Sequence, residues 1–416
     1  MHTIRVHHVV VSSTSRFFRP SPMREFDVGE RRVTWLELFF DLCFVAAVAA
    51  LSEELLHDAL AHDTVAGVLA FGGLFVAVWW AWMAFTWFAT AWDNDDVAFR
   101  LFMLGAMLLV IVLAAAIPGI GGPDTGKEAV FASAYAGMQF TLAVMFLRVL
   151  PHAGEARGLV LRYLAGSLVG GLIFVGSIAA SPPSRYWWWA AGVAVLMTTP
   201  VVAVRAHGHQ PFDSRHIPER YGLFTIIVLG ESVVAVATGL GAVRLNVDAT
   251  ATAVTGFGIA AAVWWSYFET VSSTALDRGR LLASFLWGYG HLFVFAGIAV
   301  MAIGVELAIT SAAKDEAFTD GMRALICGGP AAFLFALGTI HEANERHWDA
   351  VVTARLTAIA VLLGVAILGH GLGPLAAVVL VFVVLAAEAV FDVMQAGGEG
   401  LAADHMHEDT VADVET

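Results

Sequence analysis

The sequence has little of what marks a soluble enzyme or a nucleic-acid-binding protein. Only 14% of its 416 residues are charged, against about 25% in soluble domains. The net charge is −14, and the sequence contains no run of Lys or Arg. These two features argue against nucleic-acid binding. The two cysteines, Cys43 and Cys327, stand alone in apolar stretches. They predict neither a disulfide framework nor a metal site.

Known catalytic motifs are also missing. The sequence contains no P-loop, no dinucleotide-binding fingerprint and no nucleophile elbow. The segment from His341 to His347 resembles a zinc-protease helix only superficially, because that motif needs a second His at its fifth position and Glu345 stands there. We therefore predict that the protein is not an enzyme and uses no metal and no cofactor.

What the sequence does contain is apolar helix-length segments. Hydrophobic residues make up 59% of the chain and the mean hydropathy is +0.76. Twelve apolar segments between residues 33 and 394 are each long enough to cross a bilayer, which takes about 20 residues. The predicted fold is an all-α polytopic membrane protein with about twelve transmembrane helices, and its predicted partner is the lipid bilayer.

The flanking and connecting segments define the predicted domains. An Arg- and His-containing N-terminal segment and a Gly-rich, acidic C-terminal tail enclose the apolar region, and the tail has a composition that cannot bury a core. The predicted domains are a flexible cytoplasmic segment (1–32), a first six-helix repeat (33–205), a cytoplasmic connector (206–220), a second six-helix repeat (221–394) and a disordered tail (395–416).

Spacing agreements between the two halves indicate an internal duplication. Asp41 and Glu231 fall near the middle of corresponding segments, and a Val-Trp-Trp triplet begins at residue 78 in one half and at residue 263 in the other. Six spans per half make the repeats parallel, related by an axis along the membrane normal. We expect Asp41 and Glu231 to face each other across this axis, and one of them to hold a proton at neutral pH.

Carboxylates inside apolar segments are the main candidates for a site. Inserting an acidic side chain at the centre of a spanning helix costs about 2.5 to 3.5 kcal/mol. Such a residue therefore either binds a stabilising partner or has a function. Glu37 and Asp41 lie one helical turn apart on one face. A structural hydrogen bond is the alternative role for such groups, and His291 is either a titrating group or a hydrogen-bonded core residue. The candidate ion- or substrate-binding residues are Glu37, Asp41, Glu231, Glu269, His291 and Glu306.

A second polar cluster is predicted at the cytoplasmic end of the second span. It comprises Asp93, Asp95, Asp96 and Arg100. The acidic residues resemble part of a calcium loop, but no Gly and no distal Glu completes it. The cluster is therefore either a gate or cation contact, or a helix cap. We also expect Arg148 or Arg220 to bind a carboxylate near this side, because the guanidinium group lowers the cost of burying either ion.

Several long motifs, in order, resemble the bacterial low temperature requirement A family of membrane proteins. They are LELFFDL at 36–42, DNDDVAFRLFML at 93–104 and ERYGLFTIIVLGESVV at 219–234, supported by 135–148 and 289–306. The resemblance extends from about residue 31 to residue 394. One departure is Gln139, where the family pattern has an Arg. The resemblance implies a multi-span integral membrane protein linked by its name to growth in the cold.

Two hypotheses about function follow from these residues. The first is a proton- or cation-coupled permease or channel-like protein, whose intramembrane carboxylates bind a proton or a cation. The alternative is a membrane-embedded enzyme or sensor that uses the same polar residues. The substrate is a small ion or small molecule that the sequence does not identify, and the sequence does not indicate the oligomeric state.

The distribution of cations predicts the orientation. The N-terminus and the even-numbered connections hold 17 of the 22 Lys and Arg residues. The other side holds Lys127, Arg185, Arg244, Lys314 and Arg323. Because cytoplasmic loops carry the excess of positive charge, we predict a multi-pass protein of the inner (plasma) membrane with both termini in the cytoplasm. Reporter fusions at residues 210 and 245 should report cytoplasm and exterior respectively, and the reverse pattern would contradict this topology.

Overall fold

The structure is a computed structural model, and it describes residues 33–92, 95–122, 126–207, 216–241, 246–272, 281–345 and 349–414. Within these ranges the secondary structure is helical and contains no strand. The predicted N-terminal segment 1–32, Asp93 and most of the predicted connector 206–220 lie outside the described residues. Beyond residue 395 the description covers the backbone only.

Twelve α-helices follow one another in the described part of the chain. They are α1 (Trp35–Leu60), α2 (Thr64–Ala91), α3 (Val97–Ala116), α4 (Gly126–Val149), α5 (Arg157–Ser177), α6 (Ser184–His207), α7 (His216–Gly241), α8 (Val247–Ser272), α9 (Leu281–Lys314), α10 (Asp320–Glu345), α11 (Ala350–Leu368) and α12 (Pro374–Val414). Two short 3-10 turns, Leu150–His152 and Gly154–Ala156, join α4 to α5.

All twelve helices contain a stretch long and apolar enough to cross a membrane. This confirms the predicted all-α membrane fold with twelve spans. The prediction succeeds because spanning length and apolarity are properties of each segment alone, and the bilayer admits only structures that satisfy their own backbone hydrogen bonds.

The last helix is longer than the sequence analysis expects. Its apolar part ends near Gln395, but the backbone stays helical to Val414, where the composition predicts a disordered tail. The extension contains good helix formers such as Ala, Leu, Glu and Met. It also continues a helix that is already formed, so it does not bear the cost of nucleating a new one.

The chain divides into two compact units. The first comprises Met1–Phe44 and Trp80–Asp213, and the second comprises Val45–Trp79 and Ser214–Thr416. The boundary at residue 213 falls inside the predicted connector, but α1 and α2 each contribute to both units. The matched tryptophans of the two halves also differ in environment, since Trp79 and Trp80 are buried whereas Trp264 and Trp265 are about half exposed. The two-repeat arrangement stays a prediction.

In the first unit, helices α3 to α6 pack in chain order, each against the next. Small residues bring α5 and α6 together, because Gly166 lies against Thr199 and Gly170 lies against Leu196. At one end of this group Arg185 of α6 is buried and forms an ion pair with Glu128 of α4. The Arg185 Nε also donates hydrogen bonds to backbone carbonyls of the preceding loop.

In the second unit, α9 is the central helix. It packs against α7, α8, α10 and α12, and its apolar stretch is the most buried of the twelve. Its closest neighbour is α10. A Cβ atom built on Gly297 would lie 2.6 Å from the backbone oxygen of Gly329, and one built on Gly304 would lie 2.6 Å from the backbone of Ile326. The two helices therefore touch through their backbones, as small residues allow in membrane bundles.

Asp96 begins helix α3. Its Oδ1 accepts a hydrogen bond from the backbone N–H of Phe99 at 2.9 Å, which makes it the N-cap. Its Oδ2 forms an ion pair with Arg148 of α4. This confirms the prediction that Arg148 binds a carboxylate. Asp95, by contrast, is exposed and pairs with the exposed Arg100.

Our first stability prediction concerns the contact between α9 and α10. Gly297→Ala and Gly304→Ala should each destabilise the folded protein by about 1–3 kcal/mol, because a methyl group must push two backbones apart. Gly328→Ala is the matched control, because a Cβ atom there meets nothing within 4 Å. Thermal unfolding in detergent, followed by circular dichroism, measures the difference. Equal effects of all three substitutions would contradict the proposed backbone contact.

Our second stability prediction concerns the cap of α3. Asp96→Ala should lower the free energy of unfolding by about 2–4 kcal/mol, since it removes both the cap and the carboxylate that faces Arg148. Asp95→Ala removes only an exposed ion pair and should cost less than about 1 kcal/mol. Chemical unfolding in detergent compares the two variants, and a similar loss in both would argue against a structural role specific to Asp96.

Candidate functional site

Asp41 is a fully buried carboxylate in the first unit. It lies in the second turn of α1, because the helix begins at Trp35, so it is not near the helix middle as the sequence analysis expects. Its Oδ1 accepts a hydrogen bond of 2.8 Å from the indole Nε1 of Trp82 in α2. Phe40 of α1 and Phe85 of α2 pack against each other, with ring centroids 5.5 Å apart, on the same two helices. Asp41 is therefore held by a neutral donor in a dry environment.

Glu37 has a local structural role at the start of α1. The backbone N–H and the hydroxyl of Thr34 donate to Glu37 Oε2 at 2.8 and 3.0 Å, and the Glu37 N–H donates back to the Thr34 hydroxyl at 3.3 Å. This is a capping box, which satisfies donors that the helix itself leaves open. Glu37 and Asp41 share a face as predicted, but they have different partners.

An aromatic cleft lies in the first unit between α2, α4, α5 and α6. It is partly open and holds a cavity of about 60 Å³, and its wall includes Trp80, Trp87 and Tyr163. The polar side chains in the wall include Gln139 and Ser167, and no charged residue is among the described residues that line it. Gln139, where the sequence departs from the family pattern, is fully buried. The sequence analysis did not predict this cleft.

Glu231 and Glu306 form an acidic group with Glu53 in the second unit. Glu231 of α7 and Glu306 of α9 are half-buried, whereas Glu53 of α1 is exposed. Charge interactions connect Glu231 with Glu306, and Glu306 with Glu53. All three lie about 10–15 Å from the C-terminal end of their helices, at 1.5 Å per residue. We call these three residues the acidic trio.

The structure brings together only part of the predicted ion-binding set. Glu231 and Glu306 belong to the acidic trio, and sequence reasoning missed Glu53. Glu269 is half-buried in the last turn of α8. Asp41 belongs to the first unit and Glu231 to the second, so the predicted pairing of these two residues stays a prediction.

His291 is a fully buried histidine with both ring nitrogens satisfied. Its Nδ1–H donates to the backbone carbonyl of Trp287 at 2.7 Å, and the hydroxyl of Tyr267 donates to Nε2 at 3.1 Å. Because a carbonyl only accepts, Nδ1 carries a proton, and with the Tyr267 hydroxyl as the donor to Nε2 the ring is the neutral Nδ1–H tautomer. The rings of Tyr221 and Phe295 complete the surroundings. The geometry matches the hydrogen-bonded core residue that was one of the two alternatives.

Sequence reasoning also missed a buried polar cluster at the other end of the second unit. Arg355 of α11 donates to Asp392 of α12 at 3.3 Å, and Glu388 lies one turn before Asp392. All three side chains are more than nine-tenths buried. The spacing of Glu388 and Asp392 inside an apolar segment is the same signal that marks Glu37 and Asp41, so the sequence could have shown this pair.

No group of three His, Cys, Asp or Glu side chains among the described residues is arranged to hold a metal ion. The site residues therefore offer carboxylates in the acidic trio, the carboxyl groups of Glu388 and Asp392 beside Arg355, and a hydrogen-bonded carboxylate at Asp41. Such groups can bind protons or weakly held cations, and they can do so inside a membrane-spanning helix bundle.

Comparison with known proteins agrees with this architecture. The family model described as bacterial low temperature requirement A protein matches residues 32–389. An uncharacterised protein of Rhizobium meliloti (strain 1021) is 27% identical over 362 residues, which is 83% of this chain and 84% of that protein. The family match covers every apolar segment from α1 into α12, including the acidic trio, Arg355 and Glu388 but not Asp392, and the chain belongs to the bacterial low temperature requirement A family of membrane proteins.

Proposed function

We propose that this protein is a proton- or cation-coupled permease or channel-like protein of the inner (plasma) membrane, with both termini in the cytoplasm, and that it is not an enzyme. The observation that carries the proposal is the acidic trio. Three carboxylates from three membrane-spanning helices are linked by charge interactions, and two of them are half-buried.

The charges around the acidic trio favour a bound positive ion. The charge interactions that act on Glu231 come from Glu306, and those that act on Glu306 come from Glu53. Like charges at close range raise the free energy of the ionised state. A proton or a small cation that enters the trio relieves this repulsion, and the same repulsion keeps the ion from binding too tightly to leave.

The position of the acidic trio suits an entry route from the outer side. Glu53 is exposed and Glu306 is half-buried, so the trio leads from the surface of the second unit toward its packed interior. The C-terminal ends of α1, α7 and α9 are the ends that the cation distribution places outside. Asp41, with its Trp82 hydrogen bond, offers a further titratable group in the first unit.

Flux measurements on purified, reconstituted protein test this function. Proteoliposomes with an entrapped pH-sensitive dye report proton movement, and a screen of sodium and potassium gradients reports cation coupling. Glu231→Gln and Glu306→Gln keep the shape of each side chain and remove its charge, so each should reduce the pH-dependent flux at least tenfold. Glu316→Gln is the matched control, because Glu316 is exposed in the loop after α9.

The outcomes separate the two classes of function. Loss of flux in both trio variants, with normal flux in Glu316→Gln and equal amounts of folded protein, supports the permease or channel. Full flux in both variants would remove the acidic trio from the mechanism. Chemical turnover or partner binding by the wild-type protein, without any flux, would favour the enzyme or sensor.

A further inference from the structure

The second unit contains a buried site built from four helices, separate from the acidic trio. Arg355 of α11 lies at its centre and donates to the backbone carbonyl of Leu337 in α10 at 2.8 Å and to the hydroxyl of Thr270 in α8 at 2.7 Å. Its third partner is Asp392 of α12. Glu388 and Asp392 lie on one face of α12 and are 6% and 7% exposed. We call these residues the Arg355 cluster.

The charges in the Arg355 cluster do not balance. One guanidinium group faces two carboxyl groups, and the charge interactions of Glu388 come from Asp392 and Arg355. Glu388 Oε2 and Asp392 Oδ2 are both buried; Glu388 Oε2 accepts no hydrogen bond from a described residue, and the hydroxyl of Ser266 is the further donor near Asp392. If both carboxyl groups were ionised, one negative charge and an acceptor oxygen would be left in an apolar helix bundle, which is strongly unfavourable.

From this geometry we infer that Glu388 and Asp392 together hold one exchangeable proton. A single proton balances the charge of the Arg355 cluster and converts one carboxyl group into a donor for the other. A metal ion fits the site less well, because the guanidinium group of Arg355 already binds the carboxylate of Asp392 and repels a second cation. This inference concerns proton binding only and does not depend on the proposed transport function.

A polar connection leads from the Arg355 cluster toward solvent. Asp392 interacts electrostatically with His341 of α10, and His341 Nε2 lies 2.7 Å from Asp349 Oδ2, with both side chains about one-fifth exposed. Asp349 caps α11 outside the spans. Partial burial acts to raise its pKa, but hydrogen bonds from His341 and from the backbone of Val352 hold the pKa of Asp349 below its usual range. It therefore stays ionised at neutral pH and accepts the hydrogen bond from His341 at the edge of the second unit.

The helices packed against α12 carry both charged and neutral polar groups. The four helices packed against α12 contribute Ser266, Glu269 and Thr270 from α8, the hydrogen-bonded His291 from α9, His341 from α10 and Arg355 from α11. Arg355 and His341 are the groups whose charges act on Asp392. The shared proton is therefore governed by one permanent cation and by one histidine that is reachable from solvent.

Infrared difference spectroscopy of the full chain in lipid nanodiscs tests the inference. At pH 7, the wild-type spectrum minus the Glu388→Gln spectrum should contain the carbonyl band of one protonated carboxyl group, and this band should shift in deuterated water. The wild-type spectrum minus the Asp392→Asn spectrum should contain the same band, because either variant leaves one carboxylate opposite one guanidinium. Glu342→Gln is the control, since Glu342 is exposed on α10.

The outcomes are distinguishable and do not require flux. Absence of the band from both difference spectra would overturn the inference, and so would its removal by sodium or potassium at constant pH, which would indicate a metal cation. Glu388→Gln leaves the Arg355–Asp392 bond in place, so this variant is expected to fold.

As a second measurement, the unfolding temperature of the wild type should fall relative to that of Glu388→Gln as the pH rises, because unfolding releases the proton. A constant difference between the two would contradict proton binding.

Discussion

Hydrocarbon cannot solvate a charge, and the helices of this protein are arranged around that constraint. Three arginines near helix ends each bind a carboxylate from another part of the chain. Arg148 binds Asp96, Arg185 binds Glu128 and Arg355 binds Asp392. Arg185 and Arg355 also donate to backbone carbonyls. Such pairs are costly to form and more costly to break, so they determine which helices can be neighbours.

The carboxyl groups whose charge is not fully matched by an arginine form a different class. In the acidic trio the neighbouring charges are negative, and in the Arg355 cluster two carboxyl groups compete for one guanidinium. A group whose charge is matched holds the fold together. A group whose charge is unmatched is a candidate for binding a positive ion, and this difference separates the structural carboxylates from the functional candidates.

The sequence predicts the helices far better than it predicts the site. The number of spans follows from the length and apolarity of each segment, which are local properties. The Thr34–Glu37 capping box is also a local feature, because its two residues are three positions apart in the sequence. The partner of Asp96 is Arg148, 52 positions along the chain, and the meeting of Glu53 with Glu306 depends on which helices pack together. No pattern within one segment contains that information. The extension of α12 to Val414 was missed because composition describes a segment in isolation, whereas a helix can grow from its neighbour.

The backbone contact between α9 and α10 restricts how the second unit can move. Where glycines bring two helices into direct contact, neither helix can slide or rotate past the other without a steric clash, so α9 and α10 behave as one rigid block. This block carries Glu306 toward one end and His341 toward the other. Any conformational cycle must therefore pivot at the looser contacts that α7, α8, α11 and α12 make with the block, and a tilt of the block would displace its two ends in opposite directions.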